Sequence, residues 1–139
     1  MNEPIQLDPR HWKTALRWLD YADQDLRLIG KIVHDTDLSS GAAFHCQQAA
    51  EKMAKAVLVA FGRDYPKTHE LLELSEMVIA VQPKLGHLVG ELRGLTDWYF
   101  AGRYPDLDYR PSSADIGQAL AKLLELRRQI DSLAPKRGE

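Results

Sequence analysis

The spacing of apolar residues is the feature that most limits how this chain can fold. Along most of the sequence they recur every three or four positions, as they do between Trp12 and Val33. Such spacing brings side chains to one face of an α-helix, whereas a half-buried strand shows alternation with a period of two, which is absent here. The chain is therefore predicted to be all-α.

Helix caps and helix breakers divide this pattern into about five helices. Asp, Ser and Thr are favoured at the position before a helix, Pro is tolerated in the first turn, and Gly commonly follows the last turn. Ser112 with Asp115 resembles a capping box, and Thr68 is expected to cap the third helix. The predicted helices run from Asp8 to about His34, from Ser39 or Ser40 to Gly62, from Thr68 to about Pro83, from Leu85 to about Phe100, and from Ser112 to Ile130.

The composition is that of one globular domain. With 139 residues, 45% of them hydrophobic and 27% charged, the chain is long enough to bury a single core. We expect one domain over residues 1–139, with its core at about residues 9–133. The sequence opens without a leader-like stretch, and no apolar run approaches the roughly 18 residues of a membrane span. A cytoplasmic protein with no membrane segment is expected.

Charge, cysteine and histidine content argue against several kinds of site. A formal net charge of -2 excludes a global positive field, so any contact with nucleic acid has to be local. The single cysteine, Cys46, cannot form an intrachain disulfide and is expected to be a small buried residue. The five histidines show no metal-ligand spacing, and no phosphate-binding glycine loop is present. Neither a metal nor a cofactor is expected.

Two segments concentrate residues suited to binding. Residues 44–56 combine small side chains with Gln47, Glu51 and Lys55 at i, i+4 spacing, which is typical of a tightly packed helix with a solvated polar edge. Residues 103–110 hold two arginines, two tyrosines and two aspartates. Arginine beside aromatic rings binds phosphate and stacks on a base, but an internal ion pair that pins the loop explains the same residues. Both interpretations stay open.

Three motifs in this order resemble the HEPN domain, a helical module named for nucleotide binding in higher eukaryotes and prokaryotes. They are the run from Gln47 to Ala56, the turn Pro66-Lys67-Thr68-His69-Glu70-Leu71 after Gly62, and the segment Arg103-Tyr104-Pro105-Asp106. The resemblance extends from about Trp12 to Ile130. It implies an antiparallel helical bundle that forms a homodimer. It also implies a small nucleotidyltransferase partner encoded alongside, in pairs that resemble toxin and antitoxin modules.

The resemblance also bears on ribonuclease activity. In the wider superfamily that this chain resembles, the catalytic members are metal-independent ribonucleases. In these enzymes a histidine follows an arginine after four to six residues. Arg103 fits that arginine, but Asp108 or Tyr109 stands where the histidine is expected, and an ordinary carboxylate transfers protons poorly near neutral pH. Arg63 and His69 reproduce the spacing between the second and third predicted helices, where we interpret His69 as a residue of the helix start.

Two hypotheses follow from the residues and the resemblance together. The first is a dimeric, non-enzymatic module that binds a nucleotide, RNA or a partner protein. Its predicted binding residues are Arg103, Tyr104 and Asp106, with Lys52, Lys55 and Arg63 as phosphate contacts. The alternative is a metal-independent ribonuclease toxin subunit, in which Arg103 acts together with His69 or with another residue that the sequence does not identify.

Overall fold

The computed structural model describes residues 7–101, 104–105 and 110–135, and this part of the chain is helical without any strand. The prediction of an all-α fold is confirmed. The helices are α1 (Pro9–Ile32), α2 (Ser39–Ala60), α3 (Leu71–Val81), α4 (Gly86–Leu92), α5 (Thr96–Ala101) and α6 (Ser113–Asp131). Among the residues that the structure describes, no helix is both long enough and apolar enough to cross a bilayer.

Helix α2 lies at the centre of the bundle. It runs antiparallel to α1, since Asp25 of α1 contacts His45 and Lys52 while Trp18 lies beside Lys55. Its other sides contact α3, α5 and α6. The helix can be surrounded in this way because its buried positions are mostly small, which lets neighbouring backbones approach closely. The buried alanines of α2 are Ala42, Ala43, Ala49, Ala50, Ala54, Ala56 and Ala60.

Three predicted helix boundaries are confirmed by their hydrogen bonds. The Asp8 carboxylate accepts from the backbone N–H of Arg10 at 2.8 Å, with proline in the first turn of α1. At the start of α6, Ser112 and Asp115 form the reciprocal capping box. After α2, Gly62 has a φ of 70°, and a Cβ built there would lie 2.8 Å from Cε1 of His11. Gly62 is therefore required both by backbone conformation and by the approach of His11.

The predicted start of the third helix is wrong by about two residues. Helix α3 begins at Leu71, and the Thr68 hydroxyl accepts instead from the N–H of Glu70, which precedes the helix. The N–H of Leu71 donates to the hydroxyl of Thr96, at 2.9 Å. A threonine from a distant part of the chain thus takes the role that was expected of the local one.

The predicted fourth helix is divided into α4 and α5. A 3₁₀ turn, Arg93–Leu95, separates them. The Thr96 hydroxyl lies 3.3 Å from the Arg93 carbonyl oxygen while also accepting from Leu71, and Gly94 within the turn has a low helix propensity. The break is therefore set by packing against α3, which apolar spacing alone does not reveal. It brings Trp98, Tyr99 and Phe100 onto their own short helix.

Candidate functional site

The imidazole of His69 is held against the carboxylate of Glu51. His69 lies in the connection before α3, and its Nδ1 atom is 2.6 Å from Oε1 of Glu51 on α2. An ionised carboxylate only accepts hydrogen bonds, so the proton of a neutral ring lies on Nδ1 and the Nε2 atom carries the lone pair. Half of the His69 side chain is exposed to solvent. The site therefore presents an imidazole of fixed orientation.

Glu51 is buried, and the fold supplies its counter-charge. Its Oε2 atom accepts from Nζ of Lys55 at 3.1 Å, and both side chains are largely removed from solvent. The ammonium of Lys55 also lies 5.9 Å from the ring centroid of Trp18 and 5.5 Å from that of Tyr65. A buried carboxylate is costly unless it has partners, so these contacts stabilise the Glu51 side chain beside His69. The three side chains form one cluster, Glu51–Lys55–His69.

A second carboxylate has a similar pair of partners. Asp25, in the buried face of α1, lies 2.8 Å from Nδ1 of His45 and accepts from Nζ of Lys52 at 2.6 Å. The Asp25 side chain is buried, while His45 and Lys52 are partly exposed. The phenyl ring of Phe44 contacts both His45 and Tyr99, so the two clusters lie on neighbouring sides of α2.

Aromatic rings extend from His69 along α5. The His69 ring stacks on Tyr99 with centroids 4.1 Å apart and planes 19° from parallel. Tyr99 meets the edge of Phe100 at 5.2 Å, and Phe100 lies 6.2 Å from the nearly parallel ring of Tyr104. We call these four residues the aromatic ladder. Tyr99 is buried, whereas Phe100 is 39% exposed and Tyr104 is 46% exposed. The ladder therefore has a fixed inner ring and an accessible outer surface.

A family model described as HEPN domain matches residues 15–132 of this sequence. The chain belongs to the HEPN domain family. The match includes both carboxylate clusters and the aromatic ladder, and it places the chain among modules related to nucleotides and RNA. Searches of curated proteins and of solved structures find no significant match.

The predicted binding residues of this HEPN domain lie in different surroundings. Lys52 and Lys55 are paired with Asp25 and Glu51, respectively, and Arg63 is exposed just after α2. Tyr104 belongs to the aromatic ladder. The remaining predicted binding residues, Arg103 and Asp106, lie outside the described residues, as do Asp108 and Tyr109. The ligand contacts assigned to these residues stay predictions.

Sequence reasoning missed the partners that orient His69 and His45. Glu51 was placed on a solvated edge, but it is buried and faces His69. One signal was available for Asp25, which stands in the apolar stripe of α1 between Ala22 and Ile29. A carboxylate at a core position requires polar partners. Nothing in the sequence identifies those partners as His45 and Lys52.

Cys46 is buried in α2 and takes no part in ion pairing with the residues that the structure describes. Burial, and secondarily the charge of Asp25, raises the pKa of the Cys46 thiol to about 12. The thiol is therefore protonated at neutral pH, and the prediction of a small buried cysteine is confirmed. Within the described part of the chain, no three residues of the types His, Cys, Asp and Glu are grouped so that they could hold a metal ion.

Proposed function

We propose that this HEPN domain binds nucleotides at the aromatic ladder, with His69 at the inner end of the site. The observation that supports this most is the fixed orientation of His69, which stacks on Tyr99 and is held by Glu51. A ring that is both half exposed and held from two sides is prepared for a ligand, because little conformational entropy remains to be lost on binding.

The outer rings supply the second part of the proposed contact. Phe100 and Tyr104 are exposed aromatic side chains, and nucleobases stack on such rings with little dependence on base identity. Arg103 directly precedes Tyr104 in the sequence and Arg63 is exposed, so we assign the phosphate contacts to these two arginines. Lys55, whose charge is already matched by Glu51, positions His69 rather than binding phosphate.

The proposed module acts as a homodimer with a protein partner. HEPN domains commonly dimerise, and this chain leaves large apolar side chains exposed on α1 and α3, among them Leu16, Tyr21 and Leu72. A small nucleotidyltransferase, paired with this chain as toxin with antitoxin, is the partner that the family resemblance favours. Light scattering of the purified chain is expected to give about twice the mass of 15.8 kDa.

A second candidate function is metal-independent cleavage of RNA. The Glu51–His69 contact favours it, because a carboxylate on Nδ1 leaves Nε2 as a proton acceptor. In that reaction Nε2 takes the proton of a ribose 2′-hydroxyl, the 2′-oxygen forms a bond to phosphorus, and the bond from phosphorus to the 5′-oxygen breaks. The leaving oxygen takes a proton from water, and Arg103 stabilises the charge on the phosphate. Cleavage that persists in EDTA and disappears in His69→Ala would support this candidate over binding alone.

Fluorescence anisotropy with a labelled oligonucleotide tests the binding proposal. Tyr104→Ala is expected to weaken binding by about tenfold, since stacking on an aromatic ring contributes about 1–3 kcal/mol per base. Leu124→Ala is the matched control, because Leu124 is an equally exposed apolar residue on α6. Equal affinities of Tyr104→Ala and the wild type would contradict the proposal.

A further inference from the structure

The side-chain amide of Gln47 contacts His69 and the carboxylate partner of His69 at the same time. Its Nε2 atom donates to the backbone carbonyl oxygen of His69 at 3.0 Å and to Oε1 of Glu51 at 3.3 Å. The same carboxylate oxygen lies 2.6 Å from Nδ1 of His69. An amide nitrogen carries two N–H groups, so both of them are used here. Gln47 therefore joins the backbone of His69 to the group that holds its ring.

A second glutamine determines which way the Gln47 amide points. The Nε2 atom of Gln48 donates to Oε1 of Gln47 at 2.7 Å. If the Gln47 amide were turned over, its oxygen would face two acceptors, the carbonyl oxygen of His69 and Oε1 of Glu51. Its nitrogen would then face the donor atom of Gln48. The three hydrogen bonds are compatible with one orientation of the amide, in which the nitrogen faces His69.

The connection before α3 is bonded to α2 through His69 alone. Within the described part of the chain, two hydrogen bonds tie residues 66–70 to α2, one from the His69 ring to Glu51 and one from Gln47 to the His69 backbone. A bond to the ring leaves the backbone of the same residue free to move, whereas bonds at both ends of the residue fix it. Gln47 is 0% exposed, so it holds His69 from inside the fold.

We propose that Gln47 is the residue that positions His69, and that Gln48 acts on His69 through Gln47. The Gln47 amide holds the backbone of His69 where its ring meets both Glu51 and the face of Tyr99. This inference rests on the proposed function, and it adds how the inner end of the site is held in place before a ligand arrives. Since Gln47 is buried, it acts without touching the ligand.

Nitrogen-15 NMR of the His69 ring tests the inference without a ligand. At a pH where the ring is neutral, the wild type is expected to carry the ring proton on Nδ1, against Glu51. Gln47→Met keeps the length of the side chain but removes the amide. In this variant His69 is expected to lose its fixed place, so that the tautomer with the proton on Nε2 becomes populated. The shift that the Tyr99 ring induces in the His69 ring protons is expected to decrease as well.

Variants of Gln48 provide a test that does not require a substitution at a fully buried position. Gln48 is only partly buried. Gln48→Met removes the donor to Gln47 and is expected to change the His69 tautomer in the same direction as Gln47→Met. Gln48→Lys keeps an N–H donor and is expected to retain the tautomer of the wild type. Gln129→Met is the matched control, because it removes a partly buried glutamine of α6 that donates to Glu125.

Oligonucleotide affinity shows whether Gln47 acts through His69. Gln47→Met is expected to weaken binding by about tenfold, because a ring that is no longer held in place loses conformational freedom on binding. In the His69→Ala background, Gln47→Met is expected to have no further effect on affinity, since residues that act through one group are not additive. Circular dichroism of each variant confirms that the helical content is retained.

Different results overturn the inference and the proposed function. If the His69 ring keeps the wild-type tautomer in folded Gln47→Met and in Gln48→Met, Gln47 does not position His69 and the inference is wrong. A tautomer change of the same size in Gln129→Met would also overturn it. If the tautomer changes as expected while the affinity of Gln47→Met equals that of the wild type, the positioning of His69 stands and the role of His69 in the proposed function fails.

Discussion

The Nδ1 atom of His69 lies 2.6 Å from the Oε1 atom of Glu51, across 18 positions of sequence. The connection between α2 and α3 brings the two residues together, and Gln47 secures that connection by donating to the backbone carbonyl oxygen of His69 at 3.0 Å. The polar stripe of α2 therefore faces a folded-back segment of the same chain. This contact fixes the orientation of His69, which lies two residues before the first residue of α3.

The ion pair of Glu51 and Lys55 is expected to show strong coupling in stability. Glu51→Leu leaves a buried ammonium without its carboxylate and is expected to lower the free energy of unfolding by about 3–5 kcal/mol. Glu51→Leu with Lys55→Met removes both charges and is expected to cost less than the sum of the single variants. Urea denaturation of the four proteins measures the coupling. Strictly additive effects would contradict a buried pair.

His69→Ala is expected to affect binding more than stability. The side chain is half exposed, so its loss leaves little cavity, but it removes the oriented ring at the inner end of the proposed site. Oligonucleotide affinity is expected to fall by about tenfold, and the free energy of unfolding by about 1 kcal/mol. His87→Ala, which removes a more exposed histidine on α4, serves as the control. A loss of affinity in both variants would show that the effect is not specific to the site.

The small residues of α2 are expected to tolerate no enlargement. Ala50 and Ala54 are each 4% exposed and border a cavity of about 10 Å³, which is far too small for the added atoms of leucine. Ala50→Leu or Ala54→Leu is expected to cost about 1–3 kcal/mol of stability in thermal melts, because neighbouring side chains must shift. Ala121→Leu, on the exposed side of α6, is expected to leave the melting temperature nearly unchanged.

Lys52→Ala is not a neutral variant in this fold. Its ammonium is a partner of the buried Asp25 carboxylate, which among the described residues would keep His45 as its remaining ion-pair partner. A measurable loss of stability is therefore expected. Lys13→Ala, which removes a lysine of α1 that has no ion-pair partner among the described residues, provides the comparison. Equal unfolding midpoints of the two variants would show that Lys52 does not stabilise Asp25.

Cys46 is expected to react with thiol reagents only when the protein unfolds. Burial raises the pKa of the thiol to about 12, so almost no thiolate exists at pH 8 in the folded chain. In the unfolded chain the pKa returns toward about 8.5, and the thiolate becomes abundant. Labelling by a disulfide reagent at pH 8, with and without denaturant, checks this. Rapid labelling of the native protein would contradict the burial of Cys46.

The sequence by itself determined where α1, α2 and α6 form, because the signals for these helices are local. Apolar spacing of three or four places side chains on one face, and the caps at Asp8 and Ser112 bond to residues within three positions. The glycine after α2 is equally local, since its positive φ is required by the turn itself. These caps and this turn do not depend on contacts with distant parts of the chain.

Only the tertiary structure decided what each helix face contacts. Periodicity places Gln47, Glu51 and Lys55 on one stripe of α2. Whether such a stripe is solvated or buried depends on which distant segment covers it. Here the stripe is covered by the segment that carries His69 and by the ring of Trp18. The ion pair of Glu51 and Lys55 is therefore buried rather than exposed. The histidine partner of Glu51 and both partners of Asp25 come from other elements, so helical spacing along one segment carries no information about them.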